Sequence, residues 1–286
     1  MMRNSLFLSL LALSIFSARA ENLWRIDAVP YYAYVFYDDT SVKDNGHLAG
    51  TYLYMGYGLN HLLEAEYDYT YLDFDGSASL TQHDLSATYN NFSKKNWKFR
   101  FGGHYMTGDD APTDGAWLAW AGAHYFVPSN WDLGIDFYYS DYSDFTPSMN
   151  VFQVTPHYGF NFLKSLKTMF RSDTTYYHIQ LSDEVGLGRK SFHSLDERIT
   201  LYAYPWTFSI GGWIGKQTFA ARNGGFTVYN LSEEHTGGVS GDIRFVFNET
   251  TKSAITFRVT KEEFNDFGSG SEAGSTMFQV LYGFSF

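Results

Sequence analysis

The sequence predicts an all-β protein, a transmembrane up-and-down antiparallel β-barrel of fourteen strands, with twelve or sixteen strands as alternatives. Three observations predict this fold class. Polar and apolar residues alternate with a period of two along most of the chain, whereas helical periodicity is scarce. Short and long connections alternate between the predicted strands. Aromatic residues make up 20% of the chain although its mean hydropathy of -0.27 is mildly polar, and such side chains favour an interface between lipid and water.

The first element is an export signal at the N-terminus. Arg3 precedes an apolar run, Leu6–Phe16, and the segment ends in "SARA", whose alanines Ala18 and Ala20 match a small-x-small cleavage site. We therefore predict a signal peptide over residues 1–20 and a single barrel domain over residues 21–286. An ordinary first helix is the alternative interpretation of this segment.

Fourteen segments of alternating character follow, each about ten to fourteen residues long, which is enough for a tilted strand to cross a bilayer. The ninth segment alternates less regularly, and we expect a β-bulge in it. The predicted strands are Trp24–Tyr37, His47–Gly58, His61–Phe74, Gln82–Phe92, Trp97–Thr107, Gly115–Val127, Asn130–Asp141, Asn150–Leu163, Lys167–Leu181, His193–Ala203, Trp206–Phe219, His235–Phe247, Ser253–Phe264 and Ala273–Phe286.

The connections support up-and-down hairpins, because membrane barrels of this kind join their strands by tight turns at one end and longer loops at the other. The longest loop, Ala220–Glu234, is a candidate for folding into the barrel, although a solvated external loop is the favoured interpretation. The other long connections, rich in Gly and Asp, are Asp38–Gly46, Asp75–Thr81, Gly108–Asp114, Tyr142–Met149, Ser182–Phe192 and Asn265–Glu272.

The predicted strands have one polar and one apolar face, as where Lys98 and Arg100 alternate with Phe99 and Phe101. A soluble barrel or β-sandwich would turn the apolar face inward, whereas a barrel in lipid inverts the arrangement. The export signal, the aromatic residues near strand ends and the need for every backbone group to be paired in hydrocarbon favour lipid. The predicted membrane-interface residues are Trp24, Trp97, Trp131 and Trp206 beside short turns, and Tyr71, Tyr105 and Tyr139 toward the loops.

Composition excludes several classes of protein. The formal net charge of -11 argues against a nucleic-acid partner, whose phosphates need a basic surface. The absence of cysteine excludes disulfides and thiolate metal sites. After the export signal, no apolar run approaches the ~18 residues of a membrane-spanning helix. We expect neither a cofactor nor a bound metal.

The C-terminal segment "TMFQVLYGFSF" has an almost wholly aromatic face that includes Phe278, Tyr282 and Phe284, and it ends on Phe286. With the export signal, the alternating spans and the turn-and-loop rhythm, it resembles a bacterial outer-membrane β-barrel protein, similar to the small monomeric porins of about fourteen strands. No subfamily is identified. The resemblance implies a monomer in the bacterial outer membrane, in contact with the lipid bilayer and lipopolysaccharide. It also implies that the outer-membrane assembly machinery reads these four aromatic residues.

If the polar faces line a lumen, their residues form the functional surface. Opposed acids and bases across a pore orient polar solutes and set ion selectivity, although they also stiffen the wall as salt bridges. We expect a porin-like channel for passive diffusion of small polar solutes or ions. The alternative is a structural or adhesive barrel with a blocked lumen and binding loops. The predicted lumen residues are Glu64, Glu66, Asp68, Asp84, Lys98, Arg100, His104, Asp136, Arg198, Asp242, Arg244 and Arg258.

An outer-membrane hydrolase is a less favoured alternative. His178 with Ser172, or His193 with Ser194 and Asp196, has the residue types of a nucleophile and base, but no local signature marks a catalytic group. We therefore expect no enzyme activity. The loop "GDDAPTDG" (Gly108–Gly115) carries three carboxylates that suit Ca²⁺, but it lacks EF-hand spacing, and a solvated acidic loop is the favoured interpretation.

Overall fold

The computed structural model describes residues 24–40, 42–74, 79–165, 167–231, 233–266 and 270–286. The predicted signal peptide lies outside the described residues. Fourteen strands form a closed antiparallel barrel in which neighbours in sequence pair with each other and the last strand pairs with the first. The predicted fold class and strand number are therefore confirmed. No α-helix occurs among the described residues.

The barrel strands are β1 (Trp24–Asp38), β2 (Lys43–Tyr57), β3 (His61–Phe74), β4 (Ser79–Asn91), β5 (Trp97–Gly108), β6 (Trp117–Val127), β7 (Trp131–Tyr142), β8 (Met149–Phe162), β9 (Met169–Leu181), β10 (Ser191–Ala203), β11 (Trp206–Gln217), β14 (Glu234–Asn248), β15 (Ser253–Asn265) and β16 (Glu272–Ser285). Two further strands, β12 (Ala221–Arg222) and β13 (Thr227–Val228), form a small hairpin around a 3₁₀ turn, Asn223–Gly225.

The strands agree with the predicted segments to within a few residues, and β3 agrees at both ends. The largest difference is in β2, which begins at Lys43, so most of the predicted loop Asp38–Gly46 is strand. Its polar residues pair across the hairpin, as where Phe36 lies opposite Asn45. We call the end of the barrel with the short connections the turn end and the opposite end the loop end. Residues 75–78, in a predicted loop, lie outside the described residues.

Closure of the barrel depends on the C-terminal strand. β16 pairs with β1 from Asp38↔Gly274 at the loop end to Asp27↔Ser285 at the turn end. The backbone N–H of Phe286 donates to the carbonyl oxygen of Ile26 at 2.9 Å. The C-terminal strand would be an exposed edge in an open sheet, but here it is paired with β1 from Gly274 as far as Phe286.

The outer surface of the barrel is apolar and the interior is polar. Ile210 and Ile214 on the outer surface are 68% and 71% exposed. Inward-facing Glu66, Arg100 and His104 are only 4%, 8% and 4% exposed. This arrangement is the reverse of that in a soluble barrel, because here the apolar side chains are on the outer surface and the polar side chains are inside.

The predicted interface residues lie near the two ends of this outer surface. Trp24, Trp97, Trp131 and Trp206 are each the first residue of a strand at the turn end. Tyr71, Tyr105 and Tyr139 face outward nearer the loop end, where Tyr105 lies opposite Trp117. Their role as membrane anchors stays a prediction.

The β-bulge predicted in the ninth segment is wrong. β9 keeps one register along β10, from Ser191↔Gln180 to Tyr202↔Met169, and one register along β8. Its alternation is irregular because both of its faces carry polar residues. Inward, Arg171 and Asp173 form an ion pair, while outward the hydroxyl groups of Ser172 and Thr174 donate to the carboxylate of Glu197 on β10.

The favoured interpretation of the longest loop, a solvated external segment, is also wrong. Residues 218–231, here named the inner loop, fold back into the barrel. Phe219 and Ala220 are fully buried, and the ring of Phe219 contacts that of Tyr142 at 5.0 Å between centroids. The physical reason is a row of inward-facing apolar residues at the loop end, which includes Met149, Val151, Ile179, Leu181 and Phe192 and packs against the inner loop. Burying one such side chain contributes about 1.5–3 kcal/mol, which favours the folded-in arrangement.

Candidate solute-permeation site

The tip of the inner loop is held by β5. The guanidinium of Arg100 donates from Nη2 to the carbonyl oxygen of Gly224 at 2.6 Å, and Nδ1 of His104 lies 3.0 Å from the carbonyl oxygen of Gly225. Both glycines have a positive φ, of 72° and 95°. A Cβ on Gly225 would lie 2.7 Å from the indole of Trp120, so the tip approaches the wall too closely for a side chain.

A second anchor joins β12 to β8. Gln153 donates from Nε2 to the carbonyl oxygen of Ala221 at 2.6 Å and accepts from the backbone N–H of Ala221 at 2.9 Å. This side chain completes the hydrogen bonding of a buried peptide group as a neighbouring strand would. The descending arm of the inner loop is thereby fixed to the wall.

Arg222 ties the inner loop to the opposite side of the barrel. Its guanidinium donates to Asp196 on β10 and lies 3.5 Å from Oε1 of Glu262 on β15. It also lies over the rings of Trp213 and Tyr229, at 5.3 and 5.6 Å from their centroids. Burial works against the charged form of Arg222, and the carboxylates of Asp196 and Glu262 offset that cost. The cation neutralises carboxylates from two distant strands.

Two cavities remain beside the inner loop. The larger has a volume of about 740 Å³ and is lined by residues from both walls, from Tyr37 and Lys43 at the loop end to Asp132 near the turn end. The smaller has a volume of about 420 Å³ and lies on the turn-end side of the tip, where Tyr54 and Glu64 line it. Seven residues line both cavities and mark the boundary where the cavities adjoin: Tyr52, Lys98, Arg100, Arg258, Asn223, Gly224 and Phe226.

Most of the predicted lumen residues lie on the walls of these cavities, and their role in permeation stays a prediction. Asp242 faces inward and accepts from Nη1 of Arg198 at 2.6 Å, but it lines neither cavity. Arg244 follows on the same face, is exposed and lies nearer the turn end. The predicted residues that line a cavity are Glu64, Glu66, Asp68, Asp84, Lys98, Arg100, His104, Asp136, Arg198 and Arg258.

The acids of β3 and β4 form one wall of the larger cavity. Asp68 and Asp84 lie directly opposite each other in the β3–β4 ladder. Glu66 accepts from the hydroxyl of Tyr31 at 2.9 Å, and Asp84 accepts from Nε2 of His104 at 2.7 Å. Glu66 and Asp84 are buried and hydrogen-bonded to neighbouring strands, so they stiffen this wall.

Ion pairs also join the strands that continue this wall, from β5 to β9. Asp136 contacts Arg100 at 3.4 Å and His124 at 3.1 Å. Asp132 contacts Arg171 at 2.7 Å and His157 at 2.8 Å. Sequence reasoning missed Arg171, His124 and His157 because their partners lie on other strands, and only the register of the barrel brings them together.

The two candidate catalytic groups are not assembled. His193 faces outward, whereas Ser194 and Asp196 on the same strand face the interior, where Asp196 binds Arg222. Ser172 and His178 share the outer face of β9 but are six residues apart, which corresponds to about 20 Å along a strand.

The carboxylates of the loop at 108–115 hydrogen-bond their own surroundings. Asp114 accepts from the hydroxyl of Thr107 at 2.8 Å and from the backbone N–H of Gly108 at 3.0 Å. These hydrogen bonds lower the pKa of Asp114, and the one from the backbone N–H of Gly108 contributes most. Asp109 accepts from the backbone N–H of Thr81 at 2.7 Å. Within the described ranges, no cluster of three His, Asp or Glu side chains is arranged to bind a metal ion.

None of the described residues forms a helix that is long and apolar enough to cross a bilayer.

Comparison with known proteins identifies the fold but no closer relationship. Neither a protein family nor a curated protein matches the sequence. The solved structure of Omp33, an outer membrane protein of Acinetobacter baumannii, is 9% identical, with a TM-score of 0.54 over 92% of this chain and 99% of that one. A bacterial polysaccharide outer membrane secretin is 12% identical, with a TM-score of 0.52 over 93% and 99% of the two chains. The CymD monoaromatic hydrocarbon channel is 7% identical, with a TM-score of 0.57 over 92% and 88%.

At these identities the likeness concerns the fold alone. The closed barrel, its apolar outer surface and its structural neighbours together give this chain the fold of bacterial outer-membrane β-barrel proteins, as the resemblance in the sequence predicts. The subfamily is not identified.

Proposed function

We propose that the protein is an outer-membrane channel through which small polar solutes or ions diffuse passively, and that the inner loop narrows it. The loop end faces outward and the turn end faces the periplasm, after export through the signal peptide. The chain is a monomer that contacts lipid and lipopolysaccharide with its outer surface. The assembly machinery reads Phe278, Tyr282, Phe284 and Phe286, and no nucleic acid takes part.

One observation carries this proposal. The inner loop occupies the lumen, yet cavities of about 740 and 420 Å³ remain beside it, and charged residues from both walls line them. An eight-stranded barrel is filled by its own side chains, whereas a larger barrel retains space that water can fill. The inner loop converts that space into a narrow path with defined chemistry, which suits selective passage of small molecules. Among the proteins with this fold, one is named as a monoaromatic hydrocarbon channel.

A structural or adhesive barrel with a blocked lumen is the second candidate function. The same inner loop favours it, because the loop is anchored to β5, β8, β10 and β15 and its arms are buried. In this case the external loops would bind a partner and the lumen would conduct nothing.

A planar-bilayer recording separates the two candidates. Purified protein whose folded state is verified by a heat-modifiable shift on a gel is added to the bilayer. Discrete ion steps support the channel. If the folded protein inserts and gives no steps at any applied voltage, the blocked barrel is the better account.

A further inference from the structure

The smaller cavity has an uneven charge. Its lining includes three cations, Lys98, Arg100 and Arg258, and a single carboxylate, Glu64. Oε1 of Glu64 accepts a hydrogen bond from Nδ2 of Asn90 at 2.6 Å, so this carboxylate is already engaged by the wall. The net charge of the lining of the smaller cavity is therefore positive, although the net charge of the whole chain is negative.

The cations come from two sides of the barrel. Lys98 and Arg100 lie on β5 and Arg258 lies on β15. In the closed order of strands, β15 and β5 are separated by six steps through β16, β1, β2, β3 and β4, which is close to half of a fourteen-stranded barrel. A solute in the smaller cavity therefore has positive charge on both flanks.

Two of these cations, Lys98 and Arg258, are incompletely neutralised. Lys98 makes no salt bridge or side-chain hydrogen bond with any described residue that the structure records, although it lines both cavities. Arg100, by contrast, is already engaged by Asp136 at 3.4 Å and by the carbonyl oxygen of Gly224 at 2.6 Å. Arg258 donates weakly from Nη1 to Gln279 at 3.4 Å, and its Nε lies 3.8 Å from Asp242. Cationic donors held near a cavity without acceptors favour an oxyanion, because charge-assisted hydrogen bonds are stronger than neutral ones.

The uncharged lining indicates the body of that anion. Its apolar and aromatic part is formed by Val29, Tyr52, Tyr54, Phe226 and Leu281, and its polar part by Asn90, Asn223 and Gly224. The rings of Tyr52 and Phe226 lie 5.9 Å apart between centroids. Aliphatic and aromatic walls with a few converging polar groups are typical of sites for small organic ligands. The volume of about 420 Å³ suits a ligand of one ring or a short chain.

The geometry points to a binding site for a small organic anion in the smaller cavity, with its carboxylate or phosphate beside Lys98 and Arg258 and its apolar body against Tyr52 and Phe226. This inference rests on the proposed function, since it names the class of solute that the channel selects. It assigns the choice of solute to the positive passage at the loop tip rather than to the acidic wall of the larger cavity.

Titration calorimetry on the full-length folded protein in detergent tests the site without requiring conduction. The probes are benzoate and phenyl phosphate, with benzyl alcohol and benzylamine as neutral and cationic controls of similar shape. We expect benzoate, phenyl phosphate or both to bind at least about fivefold more tightly than either control, as a charge-assisted hydrogen bond allows. The tighter of the two anions identifies the head group. Equal or tighter binding of benzyl alcohol or benzylamine overturns the inference.

Variants locate the site. Lys98→Gln and Arg258→Gln each weaken the binding of the preferred anion by about fivefold or more. Lys95→Gln removes the same charge from an exposed position in the turn before β5 and leaves binding unchanged. Unchanged binding in both lumen variants, with each variant folded on a heat-modifiable gel, contradicts the assignment.

The two proposals fail in different ways. A protein that binds benzoate but gives no ion steps in a bilayer retains the anion site and loses the channel function. A protein that conducts but binds neither anion retains the channel function and loses the anion site.

Discussion

Arg100 donates a hydrogen bond to the carbonyl oxygen of Gly224 at 2.6 Å and thereby joins wall strand β5 to the tip of a loop 124 positions further along the chain. The same guanidinium lies 3.4 Å from Asp136 on β7, so a lumen cation that could serve a solute also positions the loop. Loss of Arg100 therefore changes the shape of the passage as well as its charge.

The first prediction concerns the mobility of the loop tip. Because the chain has no cysteine, Phe226→Cys introduces a single thiol at the tip, in place of a side chain that is only 8% exposed. Adding Arg100→Gln removes a hydrogen bond worth about 1.5–3 kcal/mol, so the labelling rate of this thiol by a maleimide rises about tenfold or more. Arg198→Gln, a lumen arginine that binds Asp242 and Ser240 instead, is the matched control. A rise of equal size in the control would show that the anchor is not specific.

The second prediction concerns the glycines of the tip. Gly224→Ala places a Cβ 2.6 Å from Nη2 of Arg100 on a backbone with φ of 72°. Gly188→Ala has nearly the same φ, 69°, but nothing lies within 4 Å of its Cβ. The left-handed conformation costs about 1–2 kcal/mol in both variants, and only Gly224→Ala adds the overlap. The temperature of heat modification should fall further for Gly224→Ala, and equal shifts would contradict the close approach.

The third prediction concerns the buried cation of the loop. Arg222→Ala leaves the carboxylates of Asp196 and Glu262 without their shared partner, which costs about 3–5 kcal/mol when such a pair is broken in a buried site. Denaturant unfolding measures the loss. Arg189→Ala, in the half-exposed pair with Glu234, costs about 1 kcal/mol or less.

A double variant separates charge from packing at the same place. If the cost of Arg222→Ala comes from unpaired carboxylates, Arg222→Ala with Glu262→Gln is more stable than Arg222→Ala alone. A double variant that is no more stable would assign the cost to the lost contacts with Trp213 and Tyr229.

The fourth prediction concerns the last residue. Phe286 is 66% exposed, although its backbone N–H is hydrogen-bonded to the carbonyl oxygen of Ile26. The substitution Phe286→Ala therefore changes the free energy of unfolding of the purified barrel by about 0.5 kcal/mol or less. If the terminal aromatic is an assembly signal, the amount of barrel assembled in cell envelopes falls severalfold. Leu59→Ala, at an exposed turn on the same end, is the control and assembles normally. Normal assembly of Phe286→Ala contradicts the signal.

The barrel itself could be predicted from the sequence because each strand carries its own information. Lys98, Arg100 and His104 alternate with Phe99 and Phe101, and this period of two needs no knowledge of any neighbour. The pairing order then follows from short connections. Closure follows because a strand edge in hydrocarbon needs a partner.

The inner loop could not be predicted in this way, because its position depends on contacts between segments far apart in the chain. The sequence nevertheless contained a pattern that indicates a loop folded into the barrel. Val151, Ile179, Leu181 and Phe192 occupy inward positions at the loop end, and such residues in a water-filled lumen need a cover. Phe219 and Ala220 supply it. The wrong prediction of a bulge in β9 has a related cause. Ser172 and Thr174 face outward because their hydroxyl groups donate to Glu197 on the next strand, and no bulge is needed.

The central claim is that the inner loop narrows an open channel, and single-channel conductance tests it most directly. Recordings compare the native protein with a variant in which the tip, residues 223–226, is deleted and the two arms are joined by the shortest turn that keeps Gln153 bonded to Ala221. We expect small discrete steps from the native protein and larger steps from the variant, because the tip lies between the two cavities. Steps of equal size from both proteins, or steps from the variant alone, would contradict the account.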